Sequence, residues 1–388
     1  MGRSEVGNRA EAEQISSHAR GTAQNNALHS NLSCSRIPAL DGLRAIAVFL
    51  VIFYHFTYRW VPASLGVLAF FVLSGFLITW LLLKENEKTG AVSISGFYKR
   101  RALRIFPAFY CYWGGWLFLL LVTGHKVSWP DVMSAFFYVS NYYQGLFHPA
   151  GSYVSHTWSL AIEEQFYLLW PLSFYFGRRN LKRLTWYLAG LIGLVWVYRL
   201  VLTVVFHVDQ AYIYRAFDTR IDHLMVGCLT AIIVRRGALQ SFWRAISAKP
   251  YLPLLTIALL SLSSYGTVNS ARYRDVVGFA IEPLLVAVLM IQLIAFSTTP
   301  AWGWFDSQPM RYLGQISYSL YLYHPALGHM VFKRLPGIAS WEKLGIALLL
   351  TIAVASASYY CIEKPFLRLK DRTIFSRIGM KWAAATGD

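Results

Sequence analysis

Apolar runs of about twenty residues, the length needed to cross a ~30 Å hydrocarbon core, recur from one end of this chain to the other. Ile37–Phe56, Leu65–Leu83, Ile105–Thr123, Leu184–Phe206, Val276–Phe296 and Leu344–Cys361 are examples. Runs of this kind admit few folds other than helices packed within a bilayer. Charged residues make up 14% of the 388, where a soluble domain carries about 25%. The polar surface of a soluble globular protein is therefore missing, and that class is excluded. The net charge of +17 would suit nucleic acid if it were clustered on one surface, but the basic residues fall between the apolar runs.

The pattern predicts an all-α polytopic membrane protein with about ten transmembrane helices, near 38–56, 65–83, 105–123, 157–176, 184–206, 218–234, 250–265, 276–298, 312–332 and 341–361. Residues 132–145 are aromatic but short and polar (Ser140, Asn141, Gln144), which predicts a re-entrant or surface segment. On the side that would hold both termini, the loops carry 25 Lys and Arg, against 7 on the other. The positive-inside rule makes that side, and both termini, cytoplasmic. Residues 1–36 are polar and lack a signal-peptide core, so they read as a disordered cytoplasmic tail ahead of one transmembrane domain over 37–368. A short cytoplasmic tail follows over 369–388. The four scattered cysteines have no CxxC spacing and suggest neither disulfide nor zinc.

Ionisable residues inside spans are costly and usually face a partner or a cavity. Arg44 and His55 lie eleven residues apart in the first span, which puts them on one helix face, roughly 20° and about 16 Å apart. His156, Trp158 and Glu163 open the fourth span, Arg220 and Asp222 open the sixth, and His324 followed by Pro325 lies past the middle of the ninth. Four spans thus direct polar groups toward one outer-leaflet layer. A structural salt-bridge network would account for part of this. A histidine general base oriented by a carboxylate accounts for the histidines as well. Arg101 and Arg104 belong to the densest basic loop, suited to anionic lipid or to a polyanionic cytoplasmic ligand. The histidines lack metal-ligand spacing.

At these residues the chain resembles the acyltransferase-3 family of bacterial membrane O-acyltransferases, over roughly Ile37–Arg368. The matching stretches begin with Leu40-Asp41-Gly42-Leu43-Arg44 followed by His55, Phe70-Phe71-Val72-Leu73-Ser74-Gly75, and Lys99-Arg100-Arg101-Ala102-Leu103-Arg104. They continue with Thr157-Trp158-Ser159-Leu160-Ala161-Ile162-Glu163, then Tyr321-Leu322-Tyr323-His324, and Ile362-Glu363-Lys364-Pro365-Phe366. The resemblance implies a multi-pass protein of the bacterial cytoplasmic membrane. It also implies transfer of an acyl group, commonly acetyl, from cytoplasmic acyl-CoA as co-substrate, with no permanently bound cofactor. The acceptor would be a hydroxyl of a cell-envelope or exported glycan, or of a small metabolite such as a macrolide. The family's Arg-x10-His signature falls on Arg44 and His55, and its Trp-Ser-Leu-x-x-Glu carboxylate on Glu163.

One position departs from the pattern. Many members carry Asp where this chain has Leu68, so Glu163, Glu164 or Asp222 would have to hold the base. The chain also ends soon after the tenth span, without the hydrolase-like domain of some relatives, which predicts a one-domain enzyme.

The expected mechanism puts the CoA head on Arg101 and Arg104, with Arg44 guiding a phosphate or the pantetheine arm. His55 deprotonates the acceptor hydroxyl, and Glu163 orients the imidazole. His324 or Arg220 stabilises the oxyanion or binds acceptor, with His156, Trp158 and Asp222 on the acceptor side. Outer aromatics, among them Trp158, Tyr142, Tyr212 and Tyr214, would stack on sugar rings or form an interfacial belt. A proton-coupled transporter is the rival from another class, since intramembrane His, Glu and Arg also mark ion pathways.

Overall fold

A computed structural model describes Leu28 and residues 30–34, 36–56, 61–149 and 153–369. Every regular element among these residues is helical. The long helices are α1 (Leu40–Phe56), α2 (Ala63–Thr89), α3 (Ile94–Val122), α6 (Trp158–Gly177), α7 (Leu181–Val204), α9 (Ile221–Arg235), α11 (Leu252–Asn269), α12 (Ala271–Ala295), α14 (Ser317–Arg334) and α15 (Ser340–Leu369). Shorter ones intervene: α4 (Trp129–Phe136), α5 (Ser140–Phe147), α8 (Gln210–Arg215), α10 (Gln240–Ile246) and α13 (Gln308–Gln315).

Each of the ten expected segments contains a long helix, the ninth being interrupted at Ile316. Six of them, α2, α3, α7, α11, α12 and α15, are long and apolar enough to cross a membrane unaided. A seventh crossing results if α9 and α10, bent by 108° at their junction, are taken together. The helices that carry His55, Glu163 and His324 (α1, α6 and α14) are outside that group.

The bundle is turned inside out relative to a soluble protein. Phe118, Phe176, Leu262 and Leu349 are exposed, while Arg199, Arg220, Asp222 and Glu282 are buried. A lipid-facing exterior with its polar groups gathered inside has this distribution.

α2 and α9 cross closely because glycine permits it. A Cβ at Gly75 would stand 1.9 Å from Leu224 O, and one at Gly227 would stand 2.0 Å from Val72 O. Small residues let backbones approach where lipid supplies no hydrophobic drive between helices. This crossing fixes Ser74 on α2 and the start of α9.

One expectation changes here. The tail read as disordered over 1–36 is already packed at its described part: Leu28 and Leu32, four apart and so on one helix face, are both buried. Asn31 Nδ2 donates to Ile294 O at 2.8 Å and to Ser297 Oγ at 3.0 Å. The rest of that tail, and the tail beyond residue 369, lie outside the described residues. The polar 132–145 segment forms α4 and α5, and α5 is tied to the start of α6. Ser140 Oγ lies 3.1 Å from Thr157 Oγ1, and Gln165 Nε2 donates to Asn141 Oδ1 at 2.9 Å.

Candidate active site

Three histidines from three elements meet. They are His55 near the end of α1, His156 in the 3-10 turn Ser155–Thr157, and His324 in α14. The His55 and His324 rings have centroids 5.0 Å apart, and those of His156 and His324 are 5.8 Å apart.

Local helix chemistry sets their tautomers. Pro325 has no N–H, so the carbonyl four residues before it, on Tyr321, loses its helical donor. His324 Nδ1–H fills that vacancy, donating to Tyr321 O at 2.8 Å. Its Nε2 is then the unprotonated acceptor, and it points at His55 Nδ1, 3.3 Å away. His55 Nδ1 also lies 2.9 Å from Val51 O, four residues back on α1. Both neighbours of that atom are acceptors, so Nδ1 carries the proton and Nε2 carries the lone pair of a base.

His55 is exposed to a cavity of about 600 Å³. Its walls include His156, Trp158, Tyr214, Arg215, Arg274, Tyr321 and Pro325. The volume falls within the usual range for small-molecule sites, roughly 300–1,000 Å³. Neither ring nitrogen of His156 has a hydrogen-bond partner among the described residues. Tyr321 links the histidines to α6, donating to His156 O at 2.9 Å with its oxygen 2.6 Å from Ser159 Oγ. Trp158 and Tyr214 pack as a tilted pair, centroids 5.2 Å apart, whereas the Tyr142 and Tyr212 hydroxyls both donate to Asp218.

A second cluster lies deeper. Arg44 and Arg101 both lie close enough to Arg104 to repel it, and all three guanidinium groups attract the Glu163 carboxylate. Arg101 stacks on Tyr167, 4.2 Å from its centroid. Arg104 keeps exposed surface and Glu163 is half-buried, so the cluster reaches the surface of the bundle. Arg44 also reaches Asp41, 3.3 Å away in the first turn of α1.

The structure thus groups the sequence-read residues differently from the single outer layer expected. Glu163 does not orient His55. Its carboxylate accepts a 2.6 Å hydrogen bond from Ser74, one helical turn beyond Ser159, and belongs to the arginine cluster. Val51 O and His324 hold the imidazole instead. Asp222 is not on the acceptor side either: it is wholly buried and paired with Arg199 at 3.1 Å, with Trp196 Nε1 donating at 3.0 Å. Arg220 is fully buried behind the cavity wall, with its guanidinium 3.7 Å from the Phe279 ring. Leu68, where Asp was expected, is completely buried.

Sequence reasoning missed Tyr321, Ser74 and Arg199. Tyr321 sits four residues before Pro325, and that spacing was the available signal.

The profile of the family described as "Acyltransferase domain" matches residues 37–361. Among curated proteins, the peptidoglycan O-acetyltransferase OatA of Listeria monocytogenes is 31% identical, over 90% of this chain and 61% of its own length. The O-acetyltransferase OatA of Staphylococcus aureus is 34% identical over 85% and 57%. The putative peptidoglycan O-acetyltransferase YrhL of Bacillus subtilis is 30% identical over 88% and 56%. The chain spans about three fifths of the length of these relatives. No solved structure matches it.

Proposed function

Because the chain belongs to this acyltransferase family, we propose that it is a membrane O-acetyltransferase moving an acetyl group from cytoplasmic acetyl-CoA to a hydroxyl of a cell-envelope glycan. The peptidoglycan-directed names of its relatives support that acceptor class. One observation carries the reading: a single face of α1 joins the two clusters. Arg44 stands among the arginines and His55 stands at the cavity, about 16 Å apart along the helix, a separation comparable to the pantetheine arm. In this reading both termini lie on the cytoplasmic side, which the distribution of basic residues supports.

In this mechanism Arg101, Arg104 and Arg44 hold the nucleotide phosphates, where guanidinium forks suit oxyanions. Glu163 and Ser74 keep those arginines in position. The thioester reaches the cavity, and His55 Nε2 takes the proton from the acceptor hydroxyl. The new C–O bond forms at the acetyl carbonyl, the C–S bond breaks, and the leaving thiolate takes the proton from His55. His324 Nε2 accepts from His55 Nδ1–H throughout and stabilises the imidazolium. A neutral His156 has one N–H free for the oxyanion.

The test is thiol release from acetyl-CoA by purified protein, with and without glycan acceptors. Release that needs acceptor and is lost in His55→Ala is the expected result. Release unchanged in His55→Ala overturns the mechanism. Neither release nor acetyl-CoA binding would favour the transporter reading, because a carrier turns over no thioester. Release with a macrolide and not with glycans would move the acceptor to the small-metabolite class.

A further inference from the structure

The cavity that exposes His55 has a cationic wall that the transfer chemistry leaves unused. Three guanidinium groups gather on the ring of Tyr214, a cavity residue: Arg220 and Arg274 at 5.2 Å from its centroid and Arg215 at 6.0 Å. Arg215 and Arg274 themselves line the cavity. Gathering like charges is costly unless an anion completes the set.

The described residues supply too few carboxylates to complete it. Asp222 is held by Arg199 and Asp275 by Arg274. Glu282, the buried carboxylate facing Arg220, accepts from Ser263 at 3.0 Å and Thr267 at 2.7 Å. Four arginines (Arg199, Arg215, Arg220, Arg274) therefore share three buried carboxylates. Asp209, near Arg215, is 57% exposed and sits 3.1 Å from His148.

Two polar groups show the deficit directly. The Arg215 side chain makes no hydrogen bond among the described residues, and its buried Nε is unpartnered. Arg220 is 0% exposed, and none of its three guanidinium nitrogens has a partner among the described residues. Unpaired buried donors of this kind are rare in native proteins and need an explanation.

We propose that this wall is an oxyanion-recognition subsite for the acceptor. Arg215 and Arg274 bind a carboxylate or phosphate carried by the sugar, with the buried Arg220 guanidinium behind Tyr214 adding positive potential. The site then selects a charged glycan unit over its neutral counterpart and turns one hydroxyl toward His55. This rests on the acetyltransferase reading of the cavity and adds the charge class of the acceptor.

The test compares twin sugars for binding to the full chain in detergent, by calorimetry. N-acetylmuramic acid is set against its methyl ester for the carboxylate arm, and N-acetylglucosamine 1-phosphate against N-acetylglucosamine for the phosphate arm. At least one anionic twin should bind about tenfold or more tightly than its neutral partner, and the arm that does so identifies the anion. That preference should vanish in Arg215→Gln and persist in Arg215→Lys. Equal binding of both twins in both arms overturns the proposal, as does absence of binding by either anion, or a preference that survives Arg215→Gln. The wild-type comparison stands even if Arg215→Gln fails to fold. It needs no turnover, so it can fail while acetyl-CoA-dependent thiol release holds, and the reverse.

Discussion

His324 Nε2 stands 3.3 Å from His55 Nδ1, and the proton between them is assigned by carbonyls on their own helices. Val51 O on α1 and Tyr321 O on α14 are both acceptors, so each histidine carries its hydrogen on Nδ1. Pro325 leaves the Tyr321 carbonyl available for this. A proline in one helix thereby fixes the basic nitrogen of a residue on another.

The first prediction follows from that relay. His55→Ala should lower kcat by about 10²–10⁴, the usual contribution of a general base. His324→Ala should lower kcat by about ten- to a hundredfold, the loss of one hydrogen bond to a charged group at roughly 1.5–3 kcal/mol. The KM for acetyl-CoA should stay unchanged, because His324 is a positioning residue. A matching rise in KM would mean that its role is structural. Pro325→Ala should lower kcat in the same direction by restoring a helical N–H to compete for Tyr321 O.

Glu163 leads to the second. With its carboxylate on Ser74 at 2.6 Å and facing the three arginines, it acts on donor binding. Glu163→Gln should change the KM for acetyl-CoA more than kcat. Ser74→Ala and Glu163→Gln should be non-additive, with a coupling of about 0.5–3 kcal/mol, whereas Glu163→Gln and His324→Ala should add. Coupling between Glu163 and His324 would restore the orienting role to the carboxylate.

The course of the chain was legible because apolar length is a property of contiguous sequence: all ten long helices appear where the runs predict them. The shared face of Arg44 and His55 was legible too, since helical periodicity fixes azimuth within one helix. Contacts between helices were not legible. Depth estimates put Glu163 in the histidine layer, but one further turn, about 5.4 Å, moves its carboxylate into the arginine cluster. Arg220 and Asp222 shared that estimated depth, yet both are buried behind the cavity wall, against Phe279 and Arg199. Arg199 was missed altogether, because nothing in the sequence ties a mid-span arginine to Asp222 on another helix.

The arginine cluster gives the third prediction. Arg104→Ala or Arg101→Ala should raise the KM for acetyl-CoA by about ten- to a hundredfold at unchanged kcat, since charge-assisted hydrogen bonds are worth roughly 1.5–3 kcal/mol each. Arg101→Lys should recover little, because an ammonium cannot reproduce the guanidinium face stacked 4.2 Å from Tyr167. Desulfo analogues that lack the thioester but keep the phosphates should compete with acetyl-CoA in wild type and lose affinity in both alanine variants. Competition that is equal in wild type and in the variants would move the nucleotide elsewhere.

The fourth concerns stability and separates Asp222 from the chemistry. Asp222 and Arg199 have 0% and 1% side-chain exposure at 3.1 Å separation, and Arg199 Nη1 also donates to Thr219 O at 2.7 Å. Removing one partner of a buried pair leaves an uncompensated charge and costs about 3–5 kcal/mol, while replacing both with apolar groups of similar volume is often neutral or stabilising. Asp222→Asn should therefore lower the thermal unfolding midpoint, followed by tryptophan fluorescence in detergent, and reduce the folded yield. The double variant Arg199→Met/Asp222→Leu should recover most of the loss. A folded, stable Asp222→Asn protein with kcat reduced a hundredfold would put the carboxylate back into catalysis, against its position behind the cavity.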